Sequence, residues 1–141
     1  MTRGFAILHC LLLAGGAAAD EQALDAVNAL RAAAGRNALD YSERLEAIAA
    51  GHAADMARRR VMSHESADGS GPGERARARG YRFCRIAENV AQGQRSLSEV
   101  IYAWSNSRGH RRNLLDRRVT EMGLARAPGD FWVMVLARPG C

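Results

Sequence analysis

Four side chains in this sequence have the types to do chemistry together: His64, Glu88, Ser107 and His110. Two neutral imidazoles and a carboxylate make a sensible ligand set for a divalent metal such as Zn²⁺, with one position left open for water. A metal held by His64, Glu88 and His110 would lower the pKa of that water and support hydrolysis. The same groups can instead form a hydrogen-bonded polar cluster that joins elements without any ligand, or line a cleft that recognises a partner or glycan. Nucleophilic catalysis is the narrowest reading, because Ser107 precedes His110 by one helical turn and Glu88 would complete a Ser–His–Glu set. No Gly-x-Ser-x-Gly elbow surrounds Ser107, so helix packing explains that spacing more simply. No residue is assigned a catalytic role.

His64, Glu88 and His110 lie too far apart in sequence to meet within one element, so a tertiary fold must gather them. His110 belongs to the stretch from Trp104 to Leu115, read as about three turns of helix carrying a large aromatic, a Gly break and arginines on either side of the histidine. His64 stands at the mouth of the turn-rich run Asp68-Gly69-Ser70-Gly71-Pro72-Gly73, a loop position where functional side chains are common. Glu88 and Asn89 form an Asx-bearing turn delivered by the strand-like alternation of residues 81–86.

The supporting elements follow from periodicity. Residues 20–34 read as a helix with Leu24, Val27, Leu30 and Ala34 on one face, ended by Gly35. Residues 36–41 are a short connection tethered by Leu39. Ser42 caps the strongest helix, which runs to Arg60 with Leu45, Ile48, Ala49, His52, Ala53, Met56 and Ala57 inward. His52, among core alanines, reads as a hydrogen-bonded structural histidine rather than a ligand. Residues 74–80 make a short helix whose Arg75 and Arg79, with Arg82 beyond it, read as a solvated face. Ser96 caps the helix leading to Trp104. Two runs of strand formers, 119–127 and 131–137, flank Pro128-Gly129-Asp130 and read as an antiparallel hairpin. The second run is apolar on both faces, so it should be central and covered by helices on each side.

The chain has 141 residues, 48% hydrophobic and 25% charged, which bounds it to one globular domain. Its basic residues are all arginine and the formal charge is +5, favouring anionic partners. Nucleic acid is disfavoured, because no interleaved aromatics or groove-reading module accompany the arginines. Residues 1–19 read as a secretory signal: Arg3, an apolar segment from Phe5 to Leu13, and the small residues Ala17-Ala18-Ala19. The apolar segment is shorter than the ~20 residues a membrane span needs, and His9 before Cys10 argues against a lipoprotein. The domain is then 20–141, extracytoplasmic, and either periplasmic or secreted. Signal removal leaves Cys84 and Cys141, an even pair expected to form a disulfide; a reducing compartment would leave two thiols.

Taken together, the elements imply an α+β fold, an α-β-α sandwich of about four helices around a small antiparallel sheet. Over residues 20–137 the chain resembles bacterial members of the CAP superfamily, the SCP-domain group of cysteine-rich secretory, antigen 5 and pathogenesis-related 1 proteins. The resemblance rests on several short patterns taken in order. In the second helix these are Ala49, Gly51, His52, Ala53 and Met56, followed by Ser63-His64 and Gly80-Tyr81. Glu88-Asn89-Val90-Ala91 comes next, then Trp104, Ser107, Gly109, His110, Asn113 and Leu114-Leu115, and finally Met122-Gly123. It implies a cleft of two histidines and two acids, matched here by His64, His110 and Glu88, with Ser107 in place of the second acid. A neutral serine cannot offset a cation's charge. The resemblance also implies lipids, sterols or other proteins as partners and a binding or interaction role; the cleft's own chemistry adds a glycan as a further candidate partner and a metal-assisted hydrolase as the alternative.

Overall fold

The computed structural model describes residues 15–141, with side chains from Asp20 onward. Of the expected leader, residues 1–14, including Arg3 and Cys10, lie outside the described residues. The elements run α1 (Gly15–Ala33), β1 (Asp40–Tyr41), α2 (Glu43–Arg59), α3 (Pro72–Ala78), β2 (Phe83–Gln92), α4 (Leu97–Asn106), α5 (Arg108–Leu114), β3 (Glu121–Ala127) and β4 (Phe131–Pro139). Helix α1 begins ahead of the expected Asp20 because the preceding alanines are strong helix formers. It ends at a left-handed Gly35, where the Arg36 N–H returns to the Arg31 carbonyl at 2.8 Å. Ser42 caps α2 as expected, its side chain accepting from the Leu45 N–H.

The four strands pair in the order β1-β3-β4-β2. β4 is central and antiparallel to both β2 and β3. Its alternation builds two cores at once. Phe131, Val133, Val135 and Ala137 meet Leu45, Ile48, Ala49 and Met56 of α2 on one face. Trp132, Met134 and Leu136 meet Val27 of α1, Val100 and Trp104 of α4, and Leu114 of α5 on the other. The sheet is therefore sandwiched between α2 and α3 on one side and α1, α4 and α5 on the other, and burial on both faces explains why β4 has no polar alternation. The β3–β4 turn uses Gly129 (φ 88°) and Asp130 (φ 60°), both left-handed, residue types that tolerate this conformation.

Three details differ from the sequence expectation. Tyr41 is not in a bare connection: Asp40 and Tyr41 add a strand parallel to β3. Glu88 and Asn89 lie inside the long strand β2, paired with Val135 and Met134, rather than in a turn. The Trp104–Leu115 stretch is two helices. Ser107 is extended (φ −98°, ψ 123°), closing α4 through its N–H to the Trp104 carbonyl and opening α5 by accepting from the Arg111 N–H at 2.7 Å.

Cys84 and Cys141 form the expected disulfide, joining β2 to the last residue across 57 positions. Its chief effect is to restrict the unfolded chain. Reduction, or the Cys84→Ser/Cys141→Ser pair, should lower unfolding free energy by about 2–4 kcal/mol in urea titrations; an unchanged midpoint would show that the bridge adds no constraint.

Candidate functional site

The site is built on β2, which is an edge strand beside β4. Glu88 projects toward α2 and is buried, its side chain only 1% exposed. A buried carboxylate requires partners, and it has two strong ones. Oε1 accepts from His64 Nδ1 at 2.9 Å, and Oε2 accepts from Arg75 Nη2 at 2.5 Å. The other end of the Arg75 guanidinium, Nη1, donates to the carbonyls of His64 (2.9 Å) and Ser70 (2.6 Å) and to Ser66 Oγ (3.2 Å). One arginine thus neutralises Glu88 and pins both ends of the 64–70 loop. His52 completes the inner side: Nε2 bonds the Ser63 carbonyl at 2.7 Å and Nδ1 lies 3.1 Å from Ser66 Oγ. This is the structural histidine expected on α2, and burial pushes its pKa down, consistent with a neutral ring.

The next residue along β2 points to the opposite face. Asn89 Nδ2 donates to the His110 carbonyl at 3.1 Å, and its Oδ1 accepts from Asn113 Nδ2 at 2.8 Å. Asn113 also donates to the Glu88 carbonyl, so α5 caps that group on β2. Trp104 Nε1 fixes α4 to the Val90 carbonyl at 3.2 Å, and its ring lies 6.4 Å from that of His110. His110 is thereby held by its backbone and lies beside a neighbouring aromatic.

The geometry brings His64 and Glu88 into direct contact and places His110 near His64, whose charge helps lower the His110 pKa after burial. Among the described residues no three His, Cys, Asp or Glu side chains are placed to hold a metal ion. Both carboxylate oxygens of Glu88 are already engaged, one of them by a cation, which weakens it as a ligand. With Glu88 so engaged, no chemical step is assigned to a metal. Ser107 serves as the hinge between α4 and α5, and its hydroxyl makes no hydrogen bond among the described contacts.

Arg75 is the residue that sequence reading misplaced. On the helical pattern it belongs to a solvated basic face, yet its side chain is only 10% exposed. Nothing local distinguishes it from Arg77 or Arg79; only the loop folding back over α3 does. Asn89 and Asn113 stood in the resembling motifs without a role, which their hydrogen bonds now supply.

His64 remains 55% exposed at the rim. Its bond to Glu88 raises its pKa against a smaller opposing effect of burial. A raised histidine pKa stabilises the fold below the unfolded value near 6.5 and loses that contribution as pH rises through the folded value. The stability gap between wild type and His64→Gln should therefore be wider at pH 5.5 than at pH 8.5. His52 and His110, both shifted downward, act in the opposite sense, so the gap rather than the wild-type curve is the readout. A pH-independent gap would mean that the imidazolium–Glu88 bond does not form.

A model of the cysteine-rich secretory protein family (CAP) matches residues 24–136. The Bacillus subtilis (strain 168) protein YkwD is 33% identical over 79 residues, covering 55% of this chain and 31% of YkwD, so the chain spans about a third of that relative's length. An extracellular SCP-domain protein from Bacillus anthracis superposes with a TM-score of 0.82 at 26% identity, covering 86% of this chain and 41% of its own. An outer surface protein from Borrelia burgdorferi shares the fold with a TM-score of 0.79 at 23% identity, covering 85% of this chain and 92% of its own.

Proposed function

We propose, on the premise that this chain belongs to the cysteine-rich secretory protein (CAP) family, that it is an extracytoplasmic binding or interaction module in which the His/Glu cleft serves as a polar scaffold. The observation that carries this reading is the fate of Glu88. Its charge is met by Arg75 and its second oxygen by His64, so the carboxylate holds a loop to the sheet instead of facing an open reaction centre. Three polar groups that can each donate or accept in two directions are spent on fixing the 64–70 loop against α2 and β2, and a rigid rim is what a recognition surface needs. Export is supported by the leader-like N-terminus, the disulfide and the extracellular SCP-domain neighbour. No helix among the described residues is long and apolar enough to cross a membrane. Partners of the classes the family resemblance implies, lipid, sterol or protein, or a glycan suited to a polar cleft, would meet the surface around this rim.

The metal-assisted hydrolase stands as the competing reading, and one experiment separates the two. Wild type and the His64→Ala/His110→Ala variant are each incubated with Zn²⁺ and assayed against p-nitrophenyl esters. Equal, background turnover in both, with a cooperative melt preserved in the variant, is the expected result. Zinc-dependent turnover that disappears in the variant would replace the binding module with the hydrolase.

A further inference from the structure

The arginines that flank His110 take no part in the Glu88 network; Arg111 reaches only the Ser105 carbonyl, at 3.4 Å, and together they gather elsewhere. Between the C-terminal end of α1 and helix α5 lies a hollow of about 400 Å³ lined by Arg36, Arg108, Arg111, Arg112 and Arg118, with Asp116 as the one acid in its wall. That acid is already committed: Arg85 Nε reaches it at 2.8 Å, and Arg118 binds it through Nε and Nη2 at 2.9 Å each. Its pKa is held below the usual carboxylate range, chiefly by Arg118. Arg108, Arg111 and Arg112 are exposed and form no ion pair among the described residues.

Arg111 and Arg112 stand in the last turn of α5, where the dipole favours a cation, and Arg36 and Arg118 are hydrogen-bonded within the fold, but Arg108 is placed against it. Arg108 occupies the first position of α5, where the helix dipole disfavours a cation, and the first turn holds no acid to offset it. Like charges crowded on one wall repel. Nearby, Arg31 is buried against the carbonyls of Leu114 and Asp116; its pKa is lowered first by burial and then by Arg36, against an opposing effect of Asp116. A general excess of arginine explains the number of these residues but not the convergence of five on one concavity whose single acid, Asp116, is already paired.

We propose that this hollow is a binding site for a multiply charged phosphate group. Guanidinium forks match phosphate oxygens in pairs, and the volume suits a small ligand or a headgroup rather than an extended chain. Arg36 is pre-set for the task, because Nε and Nη1 are anchored on the Leu115 and Ala34 carbonyls, leaving Nη2 free on a fixed side chain. The group can come from free oligophosphate or from a phospholipid surface, and the chemistry is shared.

The test uses two probes at about 0.15 M salt, where long-range attraction is largely screened. Inorganic pyrophosphate is titrated by calorimetry, and phosphatidylcholine vesicles with or without phosphatidic acid are co-sedimented with the protein. Wild type should bind at least one probe, and the Arg108→Gln/Arg111→Gln/Arg112→Gln variant should bind it about tenfold or more weakly. A charge-matched control, Arg60→Gln/Arg79→Gln/Arg95→Gln, should lose less than about threefold. Pyrophosphate binding alone assigns the site to free phosphates; vesicle binding alone assigns it to a lipid headgroup. Absence of binding to both probes, or equal losses in the two triple variants, overturns the proposal. Should the first triple variant melt abnormally, Arg112→Gln alone replaces it, with a several-fold loss expected and no loss overturning the site. The His64→Ala/His110→Ala variant should bind as wild type does, which keeps this site separable from the cleft.

Discussion

Replacing Arg75 by methionine should destabilise the protein by about 3–5 kcal/mol, the range for breaking a buried ion pair by removing one partner. The size follows from what is left behind. Glu88 keeps a side chain that is 1% exposed but loses its cation, while the carbonyls of His64 and Ser70 lose their donor. His64 cannot take over fully, because it is half in solvent and charged only when protonated. Adding Glu88→Gln to the Arg75→Met background removes the stranded charge and should recover part of the loss. The double variant is therefore expected to be more stable than Arg75→Met alone, and urea unfolding of wild type, Arg75→Met, Glu88→Gln and the double variant gives the coupling directly. A loss below about 1 kcal/mol for Arg75→Met, the ordinary value of an exposed pair, would show that solvent reaches Glu88 and that the scaffold reading is wrong. Local opening of the 64–70 loop should accompany the global loss and be visible as faster amide exchange at Ser66 and Gly69, whose N–H groups bond within it.

The second large effect is at Gly123 on β3. A Cβ there would lie 2.1 Å from the Glu46 nitrogen, 2.5 Å from the Leu45 carbonyl carbon and 2.8 Å from the Glu46 Cα. All three are backbone atoms in the first turn of α2, the turn capped by Ser42. No rotamer change relieves such a clash; the helix must move off the sheet, and the packing of Leu45 and Ile48 against β4 moves with it. Overpacking in a core costs about 1–3 kcal/mol and more where backbone must shift, so Gly123→Ala is expected to lose about 3 kcal/mol or more. Gly51 provides the contrast within one protein. Its added Cβ meets only the flexible Arg79 guanidinium, at 2.7 Å, which can swing into solvent, and alanine is the better helix former. Gly51→Ala should stay within about 1 kcal/mol of wild type. Thermal or urea melts of the pair decide it, and equal effects would mean that α2 does not pack this closely on β3.

Part of this architecture was legible because local patterns report burial. The inward face of α2 follows from its apolar spacing, and the central place of β4 from side chains that are apolar on both faces. The capping role of Ser42 and the pairing of Cys84 with Cys141 likewise needed only residue type, spacing and count. Gly123 was visible as a motif position, but its reason, a helix turn pressed against its Cα, was not.

What tertiary structure alone decided concerns polar residues whose environment is set by distant chain. Glu88 and Asn89 have low strand propensity, and nothing nearby announces that they are buried in β2; their partners lie on the 64–70 loop, on α3 and on α5. The break at Ser107 was hidden because residues on both of its sides favour helix, and only the two directions demanded by the Trp104–Val90 anchor and the Asn113–Asn89 contact separate α4 from α5. Arg75 and the arginines of α5 make the general case. Sequence by itself determined that this protein is a basic, arginine-rich α+β domain with its histidines and glutamate on separate elements. Folding decided which arginine is spent on a buried carboxylate and which stand around a hollow with no ion pair among the described residues. Hydrophobic periodicity is a property of neighbours a few residues apart, whereas the energy of a charge depends on solvent exclusion and counter-charges that arrive from the rest of the chain.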